Sequence, residues 1–348
     1  MASFKRTIVG IGAILLLAHP SLAESKSVSY QFLLERLLDN HRVINIVDDF
    51  LAFWDQAKDK TPGVQRRLWR RLVENKHREY FDRAVYRTAD SKTRRAMLDD
   101  FLIRVPSQIE SIREFNSTIF DLRASPLIDA YFNFKVRFPE YQQRGDVYIG
   151  LSLFRFDGAV RALQNEAGVP DTLCLGAEVL SGYTREQTRI AIVHEFFHLY
   201  HFGFLFQQPE PSSSMEFRTP HMPLMIEGMA VAGAEAVFPN QAGEVYLHFT
   251  EEQLAAGKQD LSQNAGRFLE LIRNGAPPEE YEPWFTHSHL SEAPPRGGYL
   301  LGYEATKRVM AAYGLEQMIR MTPAELREHA EEQLAVMANE RILLMAAH

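Results

Sequence analysis

The chain has 348 residues, 46% of them hydrophobic, and a formal net charge of −7. That length supports one large domain or two smaller ones, and the apolar content excludes bulk disorder. The acidic balance argues against non-specific nucleic-acid binding, while the lone cysteine, Cys174, excludes an intrachain disulfide and a thiolate-built zinc site.

Residues 1–23 read as a secretory signal: Lys5 and Arg6, an apolar run from Ile8 to Ala18, then Ser21-Leu22-Ala23 as a small-x-small cleavage site. The apolar run is too short for a membrane span. The expectation is an exported chain, periplasmic or extracellular, with no integral span after cleavage.

Residues 24–144 read as a helical N-terminal region. Tyr30 to Val47, Phe50 to Ala57, Val64 to Ala84 and Ser91 to Leu102 carry apolar residues three and four apart, with breaks at Thr61-Pro62-Gly63, Thr88-Ala89-Asp90 and Val105-Pro106-Ser107. The basic run Arg66-Arg67-Leu68-Trp69-Arg70-Arg71 reads as a solvated helix face with Leu68 and Trp69 turned inward. His41 and His77 stand alone and read as surface or capping groups.

Residues 145–348 change character. Asp146 to Leu153 is β-rich, Phe154 to Gly158 carries a turn signal, and Asp171 to Leu180 is a second apolar run in which Cys174 reads as a small core residue. Thr172 to Val179 is a candidate edge for pairing with an extended substrate, or an ordinary core hairpin.

Thr184-Arg185-Glu186-Gln187 is a capping-box pattern that opens the next helix. That helix contains His194-Glu195-Phe196-Phe197-His198. Residues four apart sit one turn above each other, so His194 and His198 present two imidazoles to one point, two of the four positions of a tetrahedral zinc site. Glu195, rotated round the helix, is placed to reach a metal-bound water as general base. Apolar lines on more than one side (Ile190, Val193, Phe197; Ile192, Phe196, Leu199) bury the helix, and buried histidines and a carboxylate need partners. His201 lies on the same face, one turn too far to be a ligand, and is expected in the second shell or at the loop.

A catalytic zinc needs a third protein ligand. Glu227, in the apolar, small-residue helix Leu224 to Glu235, is the candidate, and the nearby glycines and alanines would let that helix approach the zinc helix closely. The alternative is a carboxylate at a helix start. The loop Gln207 to Pro223 is expected to border the cleft, with His221 exposed. Gly298 to Tyr303 opens a later helix and offers Tyr299 and Tyr303 as candidate oxyanion donors; His287 and His289 lie in the loop before it.

His194-Glu195-Phe196-Phe197-His198 followed by Glu227-Gly228-Met229-Ala230 resembles the gluzincin type of zinc metallopeptidase, in particular uncharacterised bacterial predicted zinc-dependent proteases with a Glu-Gly-x-Ala helix. Val147 to Phe154 and Phe156 to Arg161 resemble the segment preceding the zinc helix in such proteins. The resemblance covers about residues 146 to 310. It implies His194, His198 and Glu227 as Zn2+ ligands, Glu195 as base, and a peptide or protein substrate. The expected fold is α+β and predominantly helical: a zincin-like catalytic domain with a small sheet before the zinc helix, plus the N-terminal helices. A non-catalytic zinc scaffold and a zinc hydrolase of a non-peptide amide or ester are the alternatives.

Overall fold

The computed structural model describes residues 30–163, 169–207, 218–286 and 293–346. The fold is predominantly helical with one small sheet. The N-terminal region contributes α1 (Tyr30–Leu37), β1 (Val43–Asn45), α2 (Val47–Ala57), α3 (Pro62–Trp69), α4 (Ser91–Arg104), α5 (Ile109–Ile119) and α6 (Pro126–Arg137). Three strands follow, β2 (Val147–Gly150), β3 (Gly158–Arg161) and β4 (Thr172–Gly176). Then come the helices that matter most: α7 (Arg185–Leu205), α8 (His221–Val237), α9 (Leu261–Asn274), α10 (Gly297–Tyr313) and α11 (Pro323–Ala346).

The sheet order is β1-β2-β4-β3, with β1, β2 and β4 parallel and β3 antiparallel to β4. Two of its strands depart from the sequence expectation. Val43 to Val47 reads as the end of a helix, but Asp39 and Asn40 take positive φ (57° and 65°) and break α1. Val43, Ile44 and Asn45 then pair with Val147, Tyr148 and Ile149, fastened by Arg42, whose Nε donates to Asp146 at 2.9 Å. A run with Val43, Ile44 and Val47 suits either period; the distant partner strand decides.

The second departure is β3. Leu153 and Phe154, both at positive φ (54° and 60°), make the expected turn, but the chain then runs straight into a strand. Buried Glu178 pins the turn, its Oε1 accepting from Ser152 Oγ and Phe154 N at 2.8 Å each. The supposed edge Thr172 to Val179 is therefore interior, with β2 on one side and β3 on the other, and its last residues are helical. β3 is an edge strand, with β1 at the opposite edge.

Because β1 comes from the N-terminal region and α6 packs on α7, the regions on either side of residue 144 share one sheet and one continuous apolar core. In the N-terminal part that core is an aromatic cluster. Trp69 meets the rings of Phe50, Phe53, Phe81 and Phe101 at centroid distances of 5.4–6.3 Å. The basic run keeps Trp69 buried and Leu68 partly so, as expected, with Arg66 paired to Asp99 at 2.7 Å. His77 Nε2 lies 2.8 Å from Asp49. Val64 to Ala84 is not one helix: turns at Asn75 to His77 interrupt it.

In the C-terminal part, α7 lies between the sheet, α6 and α8. Gly228 of α8 meets Gly302 of α10 backbone to backbone; a Cβ on Gly228 would stand 2.1 Å from the Gly302 carbonyl oxygen. Gly233 receives the ring of Phe197 from α7, where a Cβ would stand 2.2 Å from it. The small residues of α8 thus serve two neighbours, and the one beside Glu227 faces α10. No helix among the described residues is long and apolar enough to cross a membrane; residues 1–29, with the expected signal, lie outside the described residues.

Candidate metal centre

α7 starts where its sequence says. Thr184 Oγ1 accepts from Gln187 N at 3.2 Å, and Gln187 Oε1 accepts from Thr184 N at 2.9 Å, a reciprocal cap that fixes the helical phase from the first turn. Ten residues on, that phase puts His194 and His198 on one face, while Ile190, Ile192, Val193, Phe196 and Phe197 are fully buried around them.

Their Nε2 atoms are 3.0 Å apart. Glu227 enters from α8, its Oε2 at 2.9 Å from His194 Nε2 and 3.4 Å from His198 Nε2. Three donor atoms thus form a triangle. Ligands at ~2.1 Å around a tetrahedral ion are about 3.4 Å apart, so this triangle is a slightly contracted version of the face that such an ion requires. Without a cation, two imidazole nitrogens and a carboxylate oxygen in so small a triangle cannot each have a proton to share. The donor set fits a metal ion.

Glu195 belongs to the same cluster. His194, Glu195 and His198 each offer a donor atom within 4.8 Å of the others, so these three residues could hold a metal ion. Glu227 lies within ion-pair distance of both imidazoles, at 2.9 and 3.4 Å. Glu195 instead lies against β3, and a Cβ on Gly158 would come within 2.4 Å of its Cγ. Glycine at 158 is the condition for the carboxylate to occupy that place.

The electrostatics of the cluster are strongly coupled. Burial pushes the Glu195 carboxyl up to about 8, with the charges of Glu227 and Asp157 adding to the effect and His198 opposing it. Burial also disfavours the charged Glu227, yet His198 and His194 outweigh it and hold that carboxyl far below the ordinary range. Burial lowers His194. For His198, burial is overcome by Glu227 and Glu195, and its pKa rises. The carboxylate that touches both imidazoles is thus the one whose charge its neighbours favour.

A cavity of about 650 Å³ opens beside the cluster, walled by the segment from Phe154 to Arg161, by Tyr183 and His248, and by Arg296 and Tyr299. Of the two candidate tyrosines the structure brings only Tyr299 here, its ring 6.2 Å from that of His194 and capped by the Arg296 guanidinium at 4.2 Å. Burial raises the Tyr299 phenol well above its ordinary value, so it stays a proton-bearing donor. Tyr303 does not line the cavity; its hydroxyl donates to Glu235 at 2.7 Å.

Other histidines fall elsewhere. His201 is fully buried beside Phe197 and Phe202, and neither of its nitrogens has a hydrogen-bond partner among the described residues. Burial and the charge of His198 take its pKa down to about 3, so it is a neutral packing group that makes no hydrogen bond to His194, His198 or Glu227. His221 is 5% exposed and opens α8, which corrects the expectation of an exposed loop residue. Positions 208–217 of that loop, and His287 and His289, lie outside the described residues. Cys174 is buried in β4, its thiol pushed up to about 12 by burial, in keeping with an inert core residue.

One group escaped sequence reasoning. Asp157 accepts from Gly158 N (2.8 Å) and Tyr183 Oη (2.9 Å), and Tyr183 stacks on His248 with ring centroids 4.8 Å apart. Burial works against the Asp157 charge, but His248 and Arg296 outweigh it and lower the pKa. No spacing rule joins these residues along the chain; the turn signal over Phe154 to Gly158 and the resemblance over Phe156 to Arg161 touched only Asp157.

No protein-family model matches the chain, and neither a curated protein nor a solved structure matches it.

Proposed function

We propose that this chain is an exported, zinc-dependent peptidase with a zincin-like catalytic domain of the gluzincin type. The observation that carries the reading is the convergence of His194, His198 and Glu227 within 3.4 Å, with Glu195 beside them on the cavity wall. Two imidazoles and a carboxylate, with no thiolate, suit a catalytic zinc site that keeps a position open. A scaffold site would have no use for a second buried carboxylate on the cavity wall beside the triangle. The small sheet beside the histidine helix, with an edge strand at the cavity, supports the zincin-like assignment. Export rests on the N-terminal sequence.

When bound, the ion supplies Lewis-acid polarisation of the scissile carbonyl and acidifies water. The chain's residues do the rest. Glu195 takes the proton of the attacking water and returns it to the leaving amine, so that one water is consumed per peptide bond broken. Tyr299 donates its phenolic proton in a hydrogen bond to the oxyanion that develops on the carbonyl oxygen. The open edge of β3 aligns an extended backbone by strand pairing.

Metal analysis of the purified chain with a peptide-library cleavage screen tests this. About one zinc per chain, removable by chelator, is expected. Glu195→Gln should keep the zinc and lose hydrolysis by about 100-fold or more, while His194→Ala and Glu227→Ala lose the metal. A wild-type protein that binds no metal, or undiminished cleavage by Glu195→Gln, would sink the reading.

A further inference from the structure

The outer edge of β3 carries a cation that the metal site does not use. In an antiparallel pair, alternate residues turn their backbone groups toward the partner strand and away from it. The carbonyls of Asp157 and Arg161 face β4, accepting from Gly176 N at 2.8 Å and Asp171 N at 3.2 Å. Gly158 and Val160 therefore turn theirs to the open edge, along the cavity wall.

That edge is occupied at both ends. Asp157 Oδ1 accepts from Gly158 N at 2.8 Å, and Arg161 Nη1 donates to the Val160 carbonyl at 3.0 Å. To reach an outward-facing carbonyl, the Arg161 side chain has to fold round the strand onto the open edge, where it passes the Phe156 ring at 5.5 Å. Among the described residues, what remains open between these stops is the Gly158 carbonyl and the Val160 N–H, a docking length of a residue or two.

Arg161 sits there as a half-buried guanidinium. Its Nε is buried with no hydrogen-bond partner among the described residues, and the Val160 carbonyl takes a single N–H of the five that the group offers. Burial pulls its pKa down and the like charge of Arg87 adds to that, against the attraction of Glu195. A desolvated charge of this kind is costly until an anion completes it. The planar fork of a guanidinium matches a carboxylate in bidentate fashion. By formal charge, among the described residues lining the cavity, Arg155, Arg161 and Arg296 match Asp157, Glu195 and Glu227, and a bound divalent ion would leave the cavity net positive.

We propose that Arg161 is the specificity-determining residue of this cleft and that the substrate presents a carboxylate to it, at the point where the docking edge ends. The inference deepens the peptidase reading and rests on it for the reaction, though not for the carboxylate chemistry. Gly158 lies against Glu195, and three residues at a rise of about 3.3 Å place Arg161 roughly 10 Å along the strand. The carboxylate thus sits two to three residues from the scissile bond. Its source is an acidic side chain or the C-terminus of the peptide.

The test uses the zinc-loaded full chain carrying Glu195→Gln, so that binding is read without turnover. The probes are six-residue peptides with Asp, Glu, Asn or Gln at each position in turn, each made as free acid and as C-terminal amide, with affinities from fluorescence polarisation. Expected is about tenfold or more tighter binding of the carboxylate-bearing member of a pair. A gain confined to free acids identifies the C-terminus, and a gain at one internal position identifies the side chain. Adding Arg161→Gln should remove the gain while leaving neutral amides unchanged, and Arg161→Lys should restore part of it. Equal affinity of acidic and neutral members, or an equal loss for both on Arg161→Gln, overturns the proposal. The wild-type Arg161 comparison stands even if the variant misfolds. If wild type fails to cleave peptides yet the Arg161-dependent preference is present, the peptidase reading fails and the carboxylate site survives; cleavage with no such preference does the reverse.

Discussion

Two buried regions of this protein are constructed in opposite ways. Around Trp69, the rings of Phe50, Phe53 and Phe81 pack edge to face and that of Phe101 is tilted against it. Around His198, the interior is made of imidazoles and carboxylates, held by helices that touch through glycine. The first region gains stability from aromatic area and geometry. The second gives that up, because each buried polar group costs free energy until something completes it. The aromatic core can be damaged without touching the cluster, whereas in the polar core the packing of α8 on α10 and α7 at Gly228 and Gly233 lies next to the place where Glu227 meets His194 and His198.

Four substitutions test that contrast. Trp69→Ala should cost about 3–5 kcal/mol in denaturant unfolding, with the folded fraction retaining its metal at full stoichiometry; a parallel fall in metal affinity would erase the distinction between the regions. Next is acid sensitivity at His221, whose pKa burial takes down to about 4. A depressed folded pKa means that stability is intact above the unfolded value of ~6.5 and drains as pH falls toward 4, by at most about 3 kcal/mol. In chelator-treated protein, His221→Gln should flatten that part of the acid limb relative to wild type; superimposable pH profiles would show that the imidazole is not held neutral.

Gly302→Ala sharpens the coupling claim. The new methyl would stand 2.1 Å from the Leu224 carbonyl oxygen, forcing α10 away from α8 at a cost of about 1–3 kcal/mol. Since Glu227 adjoins Gly228 at this crossing, the proposed function has zinc affinity fall as well, and unchanged affinity would show that the crossing does not set the position of Glu227. The smallest effect belongs to Thr184→Ala, which removes one half of the cap of α7 and should cost about 1 kcal/mol with the metal site intact.

The sequence by itself determined the elements whose cause is local. The cap at Thr184, the four-residue spacing of His194 and His198 and the apolar lines around them fix a buried helix with two imidazoles on one face, and the structure has that helix. Glu227 was legible as a candidate, with a place at a helix start as the alternative; the structure sets it inside α8 and against both imidazoles. Non-local causes were not legible. Val43 to Asn45 becomes a strand because Val147 to Ile149 lies beside it, a partner about a hundred residues away. His201 and His198 share a helix face, yet tertiary packing puts one among rings and the other in the triangle. Tyr299 and Tyr303 are likewise one turn apart, and the positions of Arg296 and Glu235 send one to the cavity and the other away. Spacing along a chain specifies direction on a helix; what waits in that direction is set by elements that arrive from elsewhere. The open edge of β3, with Gly158 against Glu195 and Arg161 folded across its far end, is the clearest case, since it exists only once β3 has paired with β4.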